Sequence, residues 1–79
     1  MALLITVSPS GSDWTVQSAA LDADMVFSSG AKAEAAARGL AQQIAEGGGT
    51  AEVRIIVRDG SLGGAFLYPS RIPPIALAG

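Results

Sequence analysis

Three consecutive glycines, Gly47 to Gly49, divide the centre of this chain into two stretches whose apolar residues repeat with different periods. Before them, from Ala31 to Glu46, nearly every residue favours a helix, and Ala33, Ala36, Ala37, Leu40 and Ile44 recur at spacings of three and four. These five fall on one side of a helical wheel, with Glu34, Arg38, Gln42 and Glu46 opposite. One face is therefore expected to meet a core and the other water. After the glycines, Val53, Ile55 and Val57 alternate with Glu52, Arg54, Ile56 and Arg58, the period-two pattern of a strand with one buried face. Ser28 or Ser29 is placed to cap the helix start, and Gly47 is expected to take the left-handed conformation that ends it. Because the apolar stripe is mostly alanine, the helix can approach closely and is expected to lie across a sheet that contains this strand.

The rest of the chain supplies further strands. Leu3, Ile5 and Val7 alternate with Leu4, Thr6 and Ser8, Pro9 to Asp13 is rich in turn formers, and Trp14 to Gln17 reads as the second arm of a hairpin. Met25-Val-Phe27 is either a third short strand or an extended lead into the helix, with Phe27 placed to pack on the helix start. Asp59-Gly60 suits a tight hairpin turn before a strand running through Phe66 to Tyr68. The order β-β-(β)-α-β-β predicts an α+β two-layer sandwich, a mainly antiparallel sheet of three to five strands with a single helix on one face. The 79 residues allow one domain, read as residues 1–69, followed by an apolar arm, residues 70–79, in which Pro73 and Pro74 exclude helix.

Composition removes several chemistries. There is no cysteine and no histidine, which excludes disulfides, thiolate or imidazole catalysis and the ordinary zinc ligand sets. Asp22 and Asp24 form a pair of carboxylates, but a hard cation needs several more oxygen ligands than that stretch offers, so no metal is expected. The glycine clusters at Gly47 to Gly49 and Gly63-Gly64 do not stand between a strand and the start of a helix, where a phosphate loop works, and read as turns and a bulge. Ser, Asp, Glu, Lys and Tyr are present, yet no spacing pairs a hydroxyl nucleophile with a base. The expectation is a protein that is not an enzyme and carries no cofactor. The formal charge of -2 and the lack of a basic run argue against binding held mainly by phosphate contacts. The opening residues lack the positive leader of a signal peptide and no apolar run is long enough for a membrane span, so a cytoplasmic protein is expected.

Several of these features can be read together: Trp14-x-Val16, Phe27 ahead of a helix start, Lys32-Ala-Glu-Ala-Ala-Ala-Arg38, the strand Val53 to Val57 and the turn Asp59-Gly60. They resemble a family of small, mostly bacterial proteins known as domain of unknown function 2188, over roughly Leu4 to Tyr68. The resemblance implies a Trp-containing hairpin leading to an alanine-rich helix and a strand ending in Asp-Gly. It implies no activity and no site residue.

One helix covers one face of a sheet, so the other face is expected to carry Leu4, Val26, Ile56 and Leu67 among polar neighbours. The sequence thus predicts a small non-catalytic interaction or assembly module that self-associates as a homodimer, with a protein partner as a further possibility. The contact would lie on the uncovered sheet face or the C-terminal arm, through Leu4, Ile56, Leu67, Ile72, Ile75 and Leu77. The alternative is a nucleic-acid-binding accessory domain using the sheet and its hairpin loops, with Lys32, Arg54 and Arg58 as contacts.

Overall fold

The computed structural model describes residues 2–72. Its elements run in the order β1 (Leu3–Ser10), β2 (Asp13–Ser18), β3 (Met25–Phe27), α1 (Gly30–Glu46), β4 (Ala51–Ile56) and β5 (Leu62–Tyr68). The five strands form one sheet in the order β3-β2-β1-β4-β5. β1 and β4 are parallel, and every other neighbouring pair is antiparallel. By the same bookkeeping β3 runs parallel to β1 and β4, so α1 must carry the chain from the β3 edge back across β2 and β1 before β4 can pair. That path lays the single helix over the middle of one face. The expected α+β architecture is the one formed, and Met25–Phe27 takes the strand alternative.

The helix meets the sheet through its smallest residues. Ala33, Ala37, Ala41 and Ala45 form an i,i+4 row that is fully buried or within 1% of it, against Ile5, Val7, Val16, Ala51 and Val53 from the three central strands. This corrects the expected stripe, which centred on Ala33, Ala36, Ala37, Leu40 and Ile44. Leu40 and Ile44 are only partly buried and pack at the margin with Trp14, Leu21, Met25, Phe27, Ile55 and Tyr68. The physical reason is distance. The line of closest approach between helix and sheet has room for a methyl group, and larger side chains fit where the two layers diverge.

Both helix ends are closed by local chemistry. The Ser29 hydroxyl accepts the Lys32 N–H at 3.2 Å, which satisfies one of the donors that a helix start leaves free. At the other end Gly48 N–H donates to Ala45 O at 3.2 Å and Gly49 N–H to Ile44 O at 2.8 Å, the paired bonds of a Schellman motif. The left-handed residue is Gly48, at φ +98°, and not Gly47, whose φ is -81°. The helix ends at Glu46 as expected, and only the left-handed residue falls one place later.

The two hairpins show why turn-forming residues overstate the loops. β1 and β2 pair as far as Ser10↔Asp13, with Gly11 at φ +61° in the turn, so Pro9 lies within the strand. Pairing of β1 with β4 ends at Val7↔Ile55, and Pro9 sits beyond the point where a second neighbour would need its missing N–H. In the β4–β5 hairpin Val57 N–H donates to Ser61 O at 2.9 Å and Gly60 N–H to Val57 O at 2.8 Å, with Gly60 at φ +86°. The loop is therefore three residues long with one left-handed glycine. The Asp59 carboxylate accepts the Ser61 hydroxyl and, at 2.9 Å, the Ser61 N–H. These bonds, the hydroxyl's first, hold its pKa below the ordinary value near 3.8.

Ala41→Leu should destabilise the fold by about 1–3 kcal/mol, because the added carbons must separate helix from sheet. Ala35→Leu, at an exposed position of the same helix, should change little, and equal denaturant midpoints for the two variants would refute the alanine contact. For the turn, a depressed carboxyl pKa gives stability that is present above the unfolded value and lost as pH falls through the folded one. Ser61→Ala should move the Asp59 titration upward toward its ordinary value, as read from its carboxyl carbon shift by NMR.

Candidate interaction surface

The face of the sheet away from α1 is defined by register. Leu4, Glu52 and Leu67 lie in one cross-strand row, Gln17, Thr6, Arg54 and Ala65 in the next, and Val26, Thr15 and Ser8 in a third. Ile56 and Leu62 pair with each other at the β4–β5 end. Leu4 is 42% exposed, Val26 61%, Leu62 56% and Leu67 64%. The distribution is uneven. The β1–β2 part of this face carries Thr6, Ser8, Thr15 and Gln17, whereas the β5 margin carries Leu62, Ala65 and Leu67 with Ile56 beside them.

The charges on this face are already partnered. Arg54 Nε donates to Glu52 Oε2 at 2.6 Å, and Gln17 Nε2 donates to Asp24 Oδ2 at 2.9 Å. Glu52 and Arg54 thus neutralise one another beside the apolar margin. A surface ion pair of this kind contributes roughly 0–1 kcal/mol to stability. Its larger effect is on what the face presents to solvent.

The residues singled out from the sequence divide into three groups. Leu4, Ile56 and Leu67 occupy the open face as expected. Ile72 belongs to the arm: Arg71 N–H donates to Ala45 O at 2.8 Å, and Ile72 Cδ1 would lie 3.1 Å from a Cβ built on Gly48, so the start of the arm lies against the C-terminal end of α1 with Ile72 still 53% exposed. Ile75 and Leu77 lie outside the described residues. The three cations proposed for nucleic acid are not brought together. Lys32 is in the first turn of α1, Arg54 is on the opposite side of the sheet, and Arg58 is held at the hairpin, with Nη1 donating to Gly11 O at 3.0 Å and its guanidinium 5.6 Å from the Trp14 ring centroid.

Leu62 is the open-face residue that period-two reading misses. Counting back from Leu67 in steps of two passes through Ala65 and Gly63 and places Leu62 on the helix side. The register shift opposite Ile55 and Ile56 inserts one residue at Gly63, which turns Leu62 over to the open face. Val57 Cγ1 would lie 2.5 Å from a Cβ at position 63, so the bulge requires glycine there. The Gly63-Gly64 doublet was the available signal.

Backbone direction along β5 follows from the neighbouring pair. Leu3 N–H donates to Thr50 O at 2.8 Å, so the even-numbered residues of β4 turn their backbone groups to β1 and the odd-numbered ones to β5. Their partners Gly64, Phe66 and Tyr68 are the residues of β5 that bond inward. Ala65 and Leu67 present N–H and C=O to the free edge. On the helix side of that edge Phe66 is 38% exposed, with the Arg38 guanidinium 4.4 Å from its ring centroid and Arg38 Nη2 2.7 Å from Glu34 Oε1.

Among the described residues there is no cavity and no group of three or more acidic side chains placed to hold a metal ion. No helix among them is long and apolar enough to cross a membrane. No curated protein and no solved structure matches the chain at a significant level. The sequence profile of one family does, over residues 5–63, which takes in most of the β1–β2 hairpin, β3, the helix, β4 and the following turn as far as Gly63. The chain belongs to that family, DUF2188, described as an uncharacterized protein conserved in bacteria.

Proposed function

We propose that this protein is a small non-catalytic assembly module that associates with a second copy of itself, with a cytoplasmic site of action. The observation that supports this reading is the apolar margin of the uncovered sheet face, Leu62, Ala65 and Leu67 with Ile56 alongside, exposed on one side of a sheet whose other side is filled by α1. Apolar groups gathered at one margin, with the adjacent charges paired among themselves, suit contact with another neutral apolar surface. A second copy offers that surface at equal concentration, and a two-fold contact needs only a patch complementary to itself. The nucleic-acid alternative would draw on Lys32, Arg54 and Arg58, one of which is already committed to Glu52 and another to Gly11 O.

The reading is tested by mass in solution. Light scattering on a size-exclusion column should give a dimer for the native chain at high concentration, and Leu67→Lys should weaken association at least tenfold. A chain that stays monomeric at every concentration would exclude self-assembly. Retention on a nucleic-acid column that falls steeply with salt would favour the alternative.

A further inference from the structure

We infer that β5 is a pairing edge for a second copy of this chain: two β5 strands meet antiparallel about a two-fold axis at Phe66, giving one continuous ten-stranded sheet with both helices on the same face. The inference rests on the self-assembly reading and specifies its contact, which the apolar margin alone leaves open between stacking of two sheet faces and joining of two edges.

The first argument is the backbone. An edge strand exposes a row of unpaired donors and acceptors, and proteins usually block that row with a short strand, a charged residue, a proline or a covering element. β3, the opposite edge, is three residues long. β5 is seven residues, Leu62–Tyr68, with no charge and no proline within it, and beyond the bulge its register with β4 is regular from Gly64 to Tyr68. Ala65 and Leu67 therefore hold two N–H and two C=O groups, in ladder geometry, toward an edge with no strand paired to it among the described residues.

The second argument is self-complementarity. A two-fold antiparallel contact places every residue near its own copy, so a charged strand would oppose itself, whereas β5 is neutral throughout. With the axis at Phe66, Ala65 faces the partner's Leu67 and Leu67 faces the partner's Ala65. Those are the residues with outward backbone groups, and four N–H···O bonds can form between them. Large then lies opposite small on the open face, and the two Leu67 side chains become diagonal neighbours at about 7–8 Å. On the helix side Phe66 stands opposite the partner's Phe66, a pair of aromatic rings at a non-hydrogen-bonded position where side chains come closest. Tyr68 stands opposite the partner's Gly64, where no side chain competes with its ring. The apolar margin becomes the centre line of a wider sheet.

The experiment compares Ala65→Pro with Leu4→Lys in the full chain, together with amide exchange in the native protein. Proline at position 65 removes an outward N–H and leaves the inward bonds of Gly64, Phe66 and Tyr68 intact, a substitution that edge strands accept. Leu4 lies two strands away from the edge, on the face itself. Ala65→Pro should weaken association at least tenfold with the far-UV circular dichroism of the native chain, and Leu4→Lys should associate as the native chain does. In the native protein, exchange of the Ala65 and Leu67 amides should slow as concentration rises, because those hydrogens leave solvent only when a second strand pairs.

A dimer that survives Ala65→Pro but not Leu4→Lys would overturn the edge contact while keeping self-assembly. A native chain that is monomeric throughout would remove both. If Ala65→Pro fails to fold, the exchange rates decide: concentration-independent exchange at Ala65 and Leu67 in a dimeric protein overturns the inference.

Discussion

The contact on which the rest of the structure depends is the row of alanine methyl groups from Ala33 to Ala45 lying on Ile5, Val7, Val16 and Val53. Each alanine contributes little area, but together they let the helix axis come close enough for the aliphatic side chains of three strands to be buried completely. The same closeness explains the arrangement around it. Gly30 starts the helix without a side chain, and a Cβ there would lie 3.1 Å from Trp14 Cε2, so the indole has space to pack beside the first turn. Leu40 and Ile44 then close the margin where the layers part.

A single helix centred over β2, β1 and β4 has a cost at the periphery. Where β5 meets α1, the Arg38 guanidinium lies over the Phe66 ring, and among the described residues no element covers the other face or outer edge of β5. The face and the edge are left bare by the same geometry, since the element that would cover a wider sheet is absent from the topology among the described residues. The proposed interaction role rests on this geometry more than on any particular side chain. Apolar residues on the margin of a narrow sheet become buried when the sheet is extended.

Glycine decides the two points at which period counting goes astray. At Gly48 it supplies the left-handed residue of the helix end, one place later than the glycine run first suggests, because Gly47 still bonds as a helical residue to Gln43 O. At Gly63 it admits the extra residue that turns Leu62 from the helix side to the open side. Both are local backbone events whose position depends on which hydrogen bonds the neighbouring element offers. A run of glycines marks where such an event is permitted without saying which of them carries it.

The sequence by itself determined the helix, four of the strands, their order and the fold class, leaving Met25–Phe27 between a strand and an extended lead, because these rest on period and capping, which are properties of near neighbours in the chain. It also determined which residues alternate together along each strand, whereas Leu4, Ile56 and Leu67 share a face only once the inter-strand register is set, and it placed the chain in its family through the same hairpin, helix and turn. Tertiary structure alone decided which helical row is buried, because that depends on the distance between layers. It decided that Ile72 docks on the end of α1, since a Pro-containing arm has no period to show its direction. It also decided that β5 is an outer strand whose Ala65 and Leu67 backbone groups point away from β4, with no described strand beyond them. Strand order is set by which partners satisfy the hydrogen bonds of the whole sheet, and no local pattern in the sequence encodes that.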